Sequence, residues 1–174
     1  MDSISVIRQQ FQGAHGLVEA TMQGVTQQQA HWAPPGTANP LGATYAHVVI
    51  GEDSILNRMA RGAQPLSETT WAGKLGLSEP PPGQGGDLAG WSRRVQVELP
   101  ALQKYAQAVY ANTDEWLASL KPEDLQRPVD LSGFGLGQQN LAFLVAGIML
   151  QHANNHCGEI SCLKGLQGAK GYPF

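Results

Sequence analysis

His152 and His156 stand four residues apart in the run QHANNHCGEI, within a stretch whose periodicity predicts one long helix. Two imidazoles one helical turn apart share a face and are spaced to hold a single metal ion. The pair also interrupts an apolar stripe: Leu141, Val145, Ile148, His152, His156 and Leu163 fall on one line at about 100° per residue. On that phase both rings point into the interior, where each ring nitrogen needs a partner. A shared metal satisfies both rings. The other reading is two core histidines, each bonded to a carbonyl or carboxylate.

A zinc-like ion needs at least one more ligand from another element. His47 is the best candidate, at the edge of the apolar stripe of the predicted second helix, with Thr44 and Gly51 one turn to either side and Gly51 leaving room beside it. His15 shares a helix side with Gln12 and Glu19, and His31 opens a loop, so both read as surface residues. The zinc-protease pattern His-Glu-x-x-His is broken by Ala153 at the Glu position, and no Glu-x-x-His pairs of the di-iron bundles occur. One mononuclear site remains, formed by His47, His152 and His156. Three neutral imidazoles leave coordination positions for water or substrate, as in a catalytic site. Glu159 has two readings: it orients His156 or acts as a base, or it is a locally paired helix residue. Cys157, one residue past a ligand, is turned off the metal face and reads as a small core hydrophobe.

Helices must position these side chains. Apolar residues from Ile4 through Ile7, Phe11, Ala14, Val18 and Val25 predict a first helix ending near Gly24. Asn39 and Pro40 read as cap and first turn of a second helix, which carries Leu41, Val48, Ile55 and Met59 and ends near Gly62. Gln64 to Gly86, rich in Pro and Gly, reads as a long loop. A third helix is expected to open after Asp87 and keep helical phase to Leu120, kinked by Pro100 near Gln96 to Leu99. Pro122 starts a short extra turn, Arg127 to Gly137 is irregular, and a last helix spans about Gln138 to Leu166. No strand-length alternation and no repeat is visible. The fold class is therefore all-α: a single four-helix-bundle domain over residues 1–174, with long loops between helices 2 and 3 and between helices 3 and 4.

The chain has 174 residues and a formal charge of −3, the size of one compact domain with no basic surplus for nucleic acid. Its longest apolar run, Leu141 to Leu150, is ten residues, about half of what a spanning helix needs. The N-terminus carries no charged-then-apolar leader pattern, and Cys157 and Cys162 point about 140° apart on a helix. Free thiols and a cytoplasmic location are expected, without membrane contact.

At these residues the chain resembles the DinB family of four-helix bundles. The resemblance rests on His47 within TYAHVVIGEDSIL, on His152 and His156 within QHANNHCGEI, on Ile160, on the run Asn39-Pro40-Leu41-Gly42 that leads into the second helix, and on the ending GLQGAKGYPF. It implies a three-His divalent metal site, usually assigned zinc or nickel, a frequent homodimer, and relatives that act as thiol-dependent S-transferases or isomerases. Position 159, often Gln in the family, is Glu here.

Two functions follow as expectations. In the first, the metal activates water or a low-molecular-weight thiol at neutral pH, the loop Gln64 to Gly86 covers a small organic substrate, and Trp32, Trp71 and Phe134 wall an apolar pocket. That is an enzyme of S-transferase or hydrolase type. In the second, the bundle binds metal for stability or stress response, without catalysis. A homodimer is expected from the family, and from apolar surface on the third helix around Trp91 and Trp116.

Overall fold

A computed structural model describes residues 2–83 and 85–174. Helix α1 (Ser3–Met22) is capped by Asp2, whose carboxylate accepts the Ser5 amide at 2.8 Å, and it buries the expected Ile4, Ile7, Phe11, Ala14 and Val18. A short α2 (Gln27–His31) follows, closed by a reciprocal cap between Thr26 and Gln29. Then come α3 (Leu41–Ile55), α4 (Leu88–Arg94), α5 (Leu99–Ser119), a two-stranded antiparallel ribbon of β1 (Pro128–Asp130) and β2 (Gln138–Asn140), and α6 (Leu150–Gly165). The fold is all-α apart from that ribbon. Among the described residues no helix is long and apolar enough to cross a membrane.

Helix α3 is buried on nearly every side from Leu41 to Asp53, the mark of a central helix. It runs on as a π-helical stretch, Leu56–Arg61, and stops at Gly62, whose φ of +63° is the left-handed cap glycine adopts without strain. The expected Asn39 cap is absent. Thr44 instead bonds the Pro40 carbonyl through its amide and hydroxyl (3.0 and 3.1 Å), and Asn39 Oδ1 is buried without a partner.

Side-chain pairs fix the helix directions. Contacts from Glu19 to Tyr45 and from His15 to Glu52 set α1 and α3 antiparallel, while Asp53–Tyr105 and Arg61–Asn112 set α3 and α5 parallel. Gly51–His152 and His47–His156 set α3 and α6 antiparallel. Two consecutive parallel helices in a bundle require a connection that returns along the whole bundle. Residues 63–98 make that crossover, and this is why so long a segment lies between α3 and α5.

The crossover is tied down along its length. Asp53, 1% exposed, accepts the Leu66 and Ser67 amides (2.8 and 2.9 Å), the Tyr105 hydroxyl (2.6 Å) and the Asn57 amide (2.8 Å). Leu77 bridges Val97, and the Glu98 amide donates to the Gly76 carbonyl at 2.7 Å. Those bonds draw residues 95–98 out of helical conformation. The single kinked third helix expected from the sequence is therefore two helices, and Pro100 sits in the first turn of α5, where its missing amide costs nothing. Trp91 and Trp116, expected to leave apolar surface, are 1% and 9% exposed.

The last helix also departs from the expectation. Gln138–Asn140 pair as β2 rather than opening the helix, and Phe143–Met149 is π-helical. A π turn accommodates an extra residue without changing the course of the helix. The buried positions Leu141 ahead of it, Leu144, Val145 and Met149 within it, and Ala153, Cys157, Ile160 and Lys164 after it share one face on that basis. The core stripe consequently lies one residue out of phase with the line drawn through Ile148, His152 and His156.

Replacing Asp53 with Ala strands four donors at once, so urea denaturation should show a loss of about 3 kcal/mol. Limited proteolysis of the variant should cut within residues 63–98 faster than in the parent protein.

Candidate metal centre

The phase slip just before α6 sets the character of the site. His152 and His156 lie about 100° from the Ala153–Cys157 face, at the edge of the helix and not in the core, and both are half-buried. His47 faces them from α3. The ring centroids stand 4.9 Å apart for His47 and His152, 5.0 Å for His47 and His156, and 4.4 Å for His152 and His156. One nitrogen from each ring lies within 4.8 Å of the others. His47 Nε2 and His152 Nε2 are 3.0 Å apart, close to the separation of about 3.3 Å that two nitrogens adopt around one tetrahedral zinc ion. The three residues expected from sequence are brought together, and the donor set could hold a metal ion.

Gly51 makes the close approach possible. A Cβ there would stand 3.3 Å from His152 Cε1, so the space beside His47 that the sequence suggested is occupied by the His152 ring. Behind the third ring, His156 Nδ1 bonds Glu159 Oε2 at 2.6 Å, which leaves His156 Nε2 free to face the cluster. A carboxylate on the far nitrogen of a ligating imidazole fixes its tautomer and raises its basicity. His152 differs, because its Nδ1 is buried without a partner.

Burial and crowding disfavour protonation of His152 and His47. The pKa of His152 is pushed down from 6.5 to about 3 by burial and by the neighbouring His156 and His47. Burial and His156 also lower that of His47, against a smaller opposing effect of Glu159. Both rings are therefore neutral at pH 7, the form that binds metal.

The other residues singled out in the sequence lie elsewhere. His15 is buried: its Nε2 bonds Glu52 Oε2 at 2.9 Å and its ring stacks on Tyr110 at 3.8 Å, so the surface reading fails. Its partner comes from α3, a long-range contact invisible to local pattern. His31 is part-buried, with Nε2 accepting the Val97 amide at 2.8 Å. Trp71 packs on Tyr105 with ring centroids 5.7 Å apart, and Trp32 packs on the same core, so both pin their segments to the bundle; Phe134 is 49% exposed. Cys157 is buried and its thiol pKa is raised by that burial; Cys162 is exposed.

Sequence reading missed the polar interior. Glu52 accepts the Thr113 hydroxyl at 2.6 Å besides pairing with His15, and Glu19 accepts the hydroxyls of Tyr45 and Tyr110 at 2.7 and 3.2 Å. Burial raises the Glu19 pKa. The available signal was Glu52-Asp53 in the middle of an otherwise apolar helix, since carboxylates there must find partners.

No curated protein matches the sequence. Among solved structures, the crystal structure of a conserved protein from Enterococcus faecalis superposes with a TM-score of 0.80 over 94% of this chain and 96% of that one, at 19% identity. That likeness establishes the fold. The family model of the DinB superfamily matches residues 10–160, and the chain belongs to that superfamily.

Proposed function

We propose that this protein binds one divalent ion, zinc or nickel, through His47, His152 and His156, and that it is a metal-dependent enzyme of thiol S-transferase or hydrolase type acting on a small organic substrate. The observation that carries the reading is the convergence of three imidazoles from two helices at a half-exposed edge. The cluster numbers three donors among the described residues, the count of a catalytic and not a structural zinc site. When bound, such an ion supplies Lewis-acid activation of water or of a low-molecular-weight thiol at neutral pH. The three imidazoles would hold that ion, and Glu159 fixes the tautomer of one of them, His156. Glu159 orients His156 through Nδ1, so its contribution is to positioning, and its 58% exposed side chain is also placed to exchange protons with solvent. Burial and a raised thiol pKa argue against Cys157 as nucleophile.

Metal titration by calorimetry should give one site per chain, with the affinity reduced at least about 100-fold by Ala at any of the three histidines and about 10- to 100-fold by Glu159→Ala. Full affinity in the His47→Ala protein would remove that residue from the site. In a thiol-consumption assay with electrophilic substrates, turnover should require metal and disappear in His152→Ala. A Cys157→Ala, Cys162→Ala double variant should keep it, whereas loss of turnover with the cysteines would move the chemistry to them.

The pH dependence has a definite sign. His152 titrates near 6.5 when unfolded and about 3 when folded, so between those values the unfolded chain binds more protons and the metal-free fold weakens as pH falls. Urea midpoints measured from pH 7 to pH 4 should drop more steeply for the metal-free parent than for His152→Ala. Equal slopes would contradict the assigned burial.

A further inference from the structure

The ending GLQGAKGYPF has a structural course of its own. After α6 the chain reverses at Gly168, with φ +78°, and runs back along the helix. Two glycines fix that path. A Cβ on Gly171 would stand 2.5 Å from Ser161 Oγ and 2.7 Å from the Ser161 carbonyl oxygen, and a Cβ on Gly158 would stand 3.3 Å from the Tyr172 hydroxyl. Between this segment and the end of α1 lies a concavity of about 260 Å³, lined by Gln23, Lys164, Lys170 and Tyr172 among others.

Its charge is unbalanced. Lys164 is 8% exposed, and its ammonium donates to the Thr21 and Gln23 carbonyls at 2.7 and 2.8 Å. Lys170 donates to the Pro173 carbonyl at 3.2 Å. Among the described residues neither has a carboxylate within ion-pair distance. The carbonyl end of α1 offsets roughly half a unit of the two positive charges. A buried ammonium facing only carbonyl dipoles lacks a counter-charge, and each lysine has N–H donors left over after these bonds. We infer that this concavity binds a small oxyanion of phosphate type, free or as a monoester. Lysines suit such a ligand as point charges. The site is independent of the histidine cluster and does not rest on the metal reading.

The test is thermal unfolding of the metal-free protein with inorganic phosphate, glycerol phosphate or acetate, against chloride at equal ionic strength. Saturable stabilisation by inorganic phosphate or by the ester is expected, the stronger of the two identifying the source, with amide shifts at Gly171 and Tyr172 in NMR spectra. Lys170→Glu, at an exposed position, should fold normally and lose affinity at least 10-fold. Should Lys164→Met fold, it should lose phosphate binding as well; should it not, Lys170→Glu decides. Stabilisation that does not saturate, that acetate reproduces, or that survives unchanged in Lys170→Glu overturns the assignment and leaves Lys164 as a cap for α1.

Discussion

The site depends on the angular phase of the last helix. An α-helix that kept 3.6 residues per turn from Leu141 onward would send His152 and His156 into the core with Val145. The π-helical turn at Phe143–Met149 absorbs one residue, so that Ala153, Cys157 and Ile160 take the core positions and the histidines come to the edge. At that edge they meet His47 across the gap that Gly51 leaves open. Packing and chemistry are thereby separated on neighbouring faces of one helix: small and apolar residues seal the bundle, and the imidazoles face a partner helix and solvent. The same slip makes three close histidines tolerable, because rings at an edge can be served by an ion and by Glu159 rather than stranded in an apolar interior.

Topology supplies the other constraint. Parallel α3 and α5 demand a crossover, and the crossover needs internal anchors because it has little core of its own. Asp53 provides one anchor and the Leu77–Val97 bridge another. The first anchor acts on a helix that carries the site, since Asp53 lies six residues after His47 on α3. The polar interior around Glu52, His15 and Thr113 joins α1, α3 and α5 in the same way. Fully bonded buried polar groups favour one arrangement of helices over others that bury the same apolar area. Helix α3 is therefore held on one side by polar contacts and presents His47 on the other.

Much of this was legible in the sequence, and the failures have physical causes. The i, i+4 histidines, the third histidine on the second helix and the all-α architecture follow from residue type and period, which local chemistry dictates. The half-exposed setting of the histidines did not, because a π turn arises when two packed halves of a helix each demand their own core face, a tertiary effect. Pro100 is compatible both with a kinked helix and with a first turn, and the hydrogen bonds between 76–78 and 96–98 decide between them. His15 looked exposed beside Gln12 and Glu19, yet its partner Glu52 lies 37 residues away on another helix. The Asn39 cap failed although the motif was sound: the helix begins one residue later than the motif implies, with Pro40 at its cap position, and Asn39 Oδ1 accepts no hydrogen bond.

The central claim, a single ion held by three imidazoles from two helices, is tested most directly by X-ray absorption at the metal edge of protein loaded with one equivalent of zinc or nickel. The account predicts three imidazole nitrogens at about 2.0–2.2 Å, with at least one further light-atom ligand from solvent and no sulfur in the shell. A shell containing sulfur, fewer than three imidazoles, or an ion that stays bound with the same spectrum when His47 is Ala would contradict it.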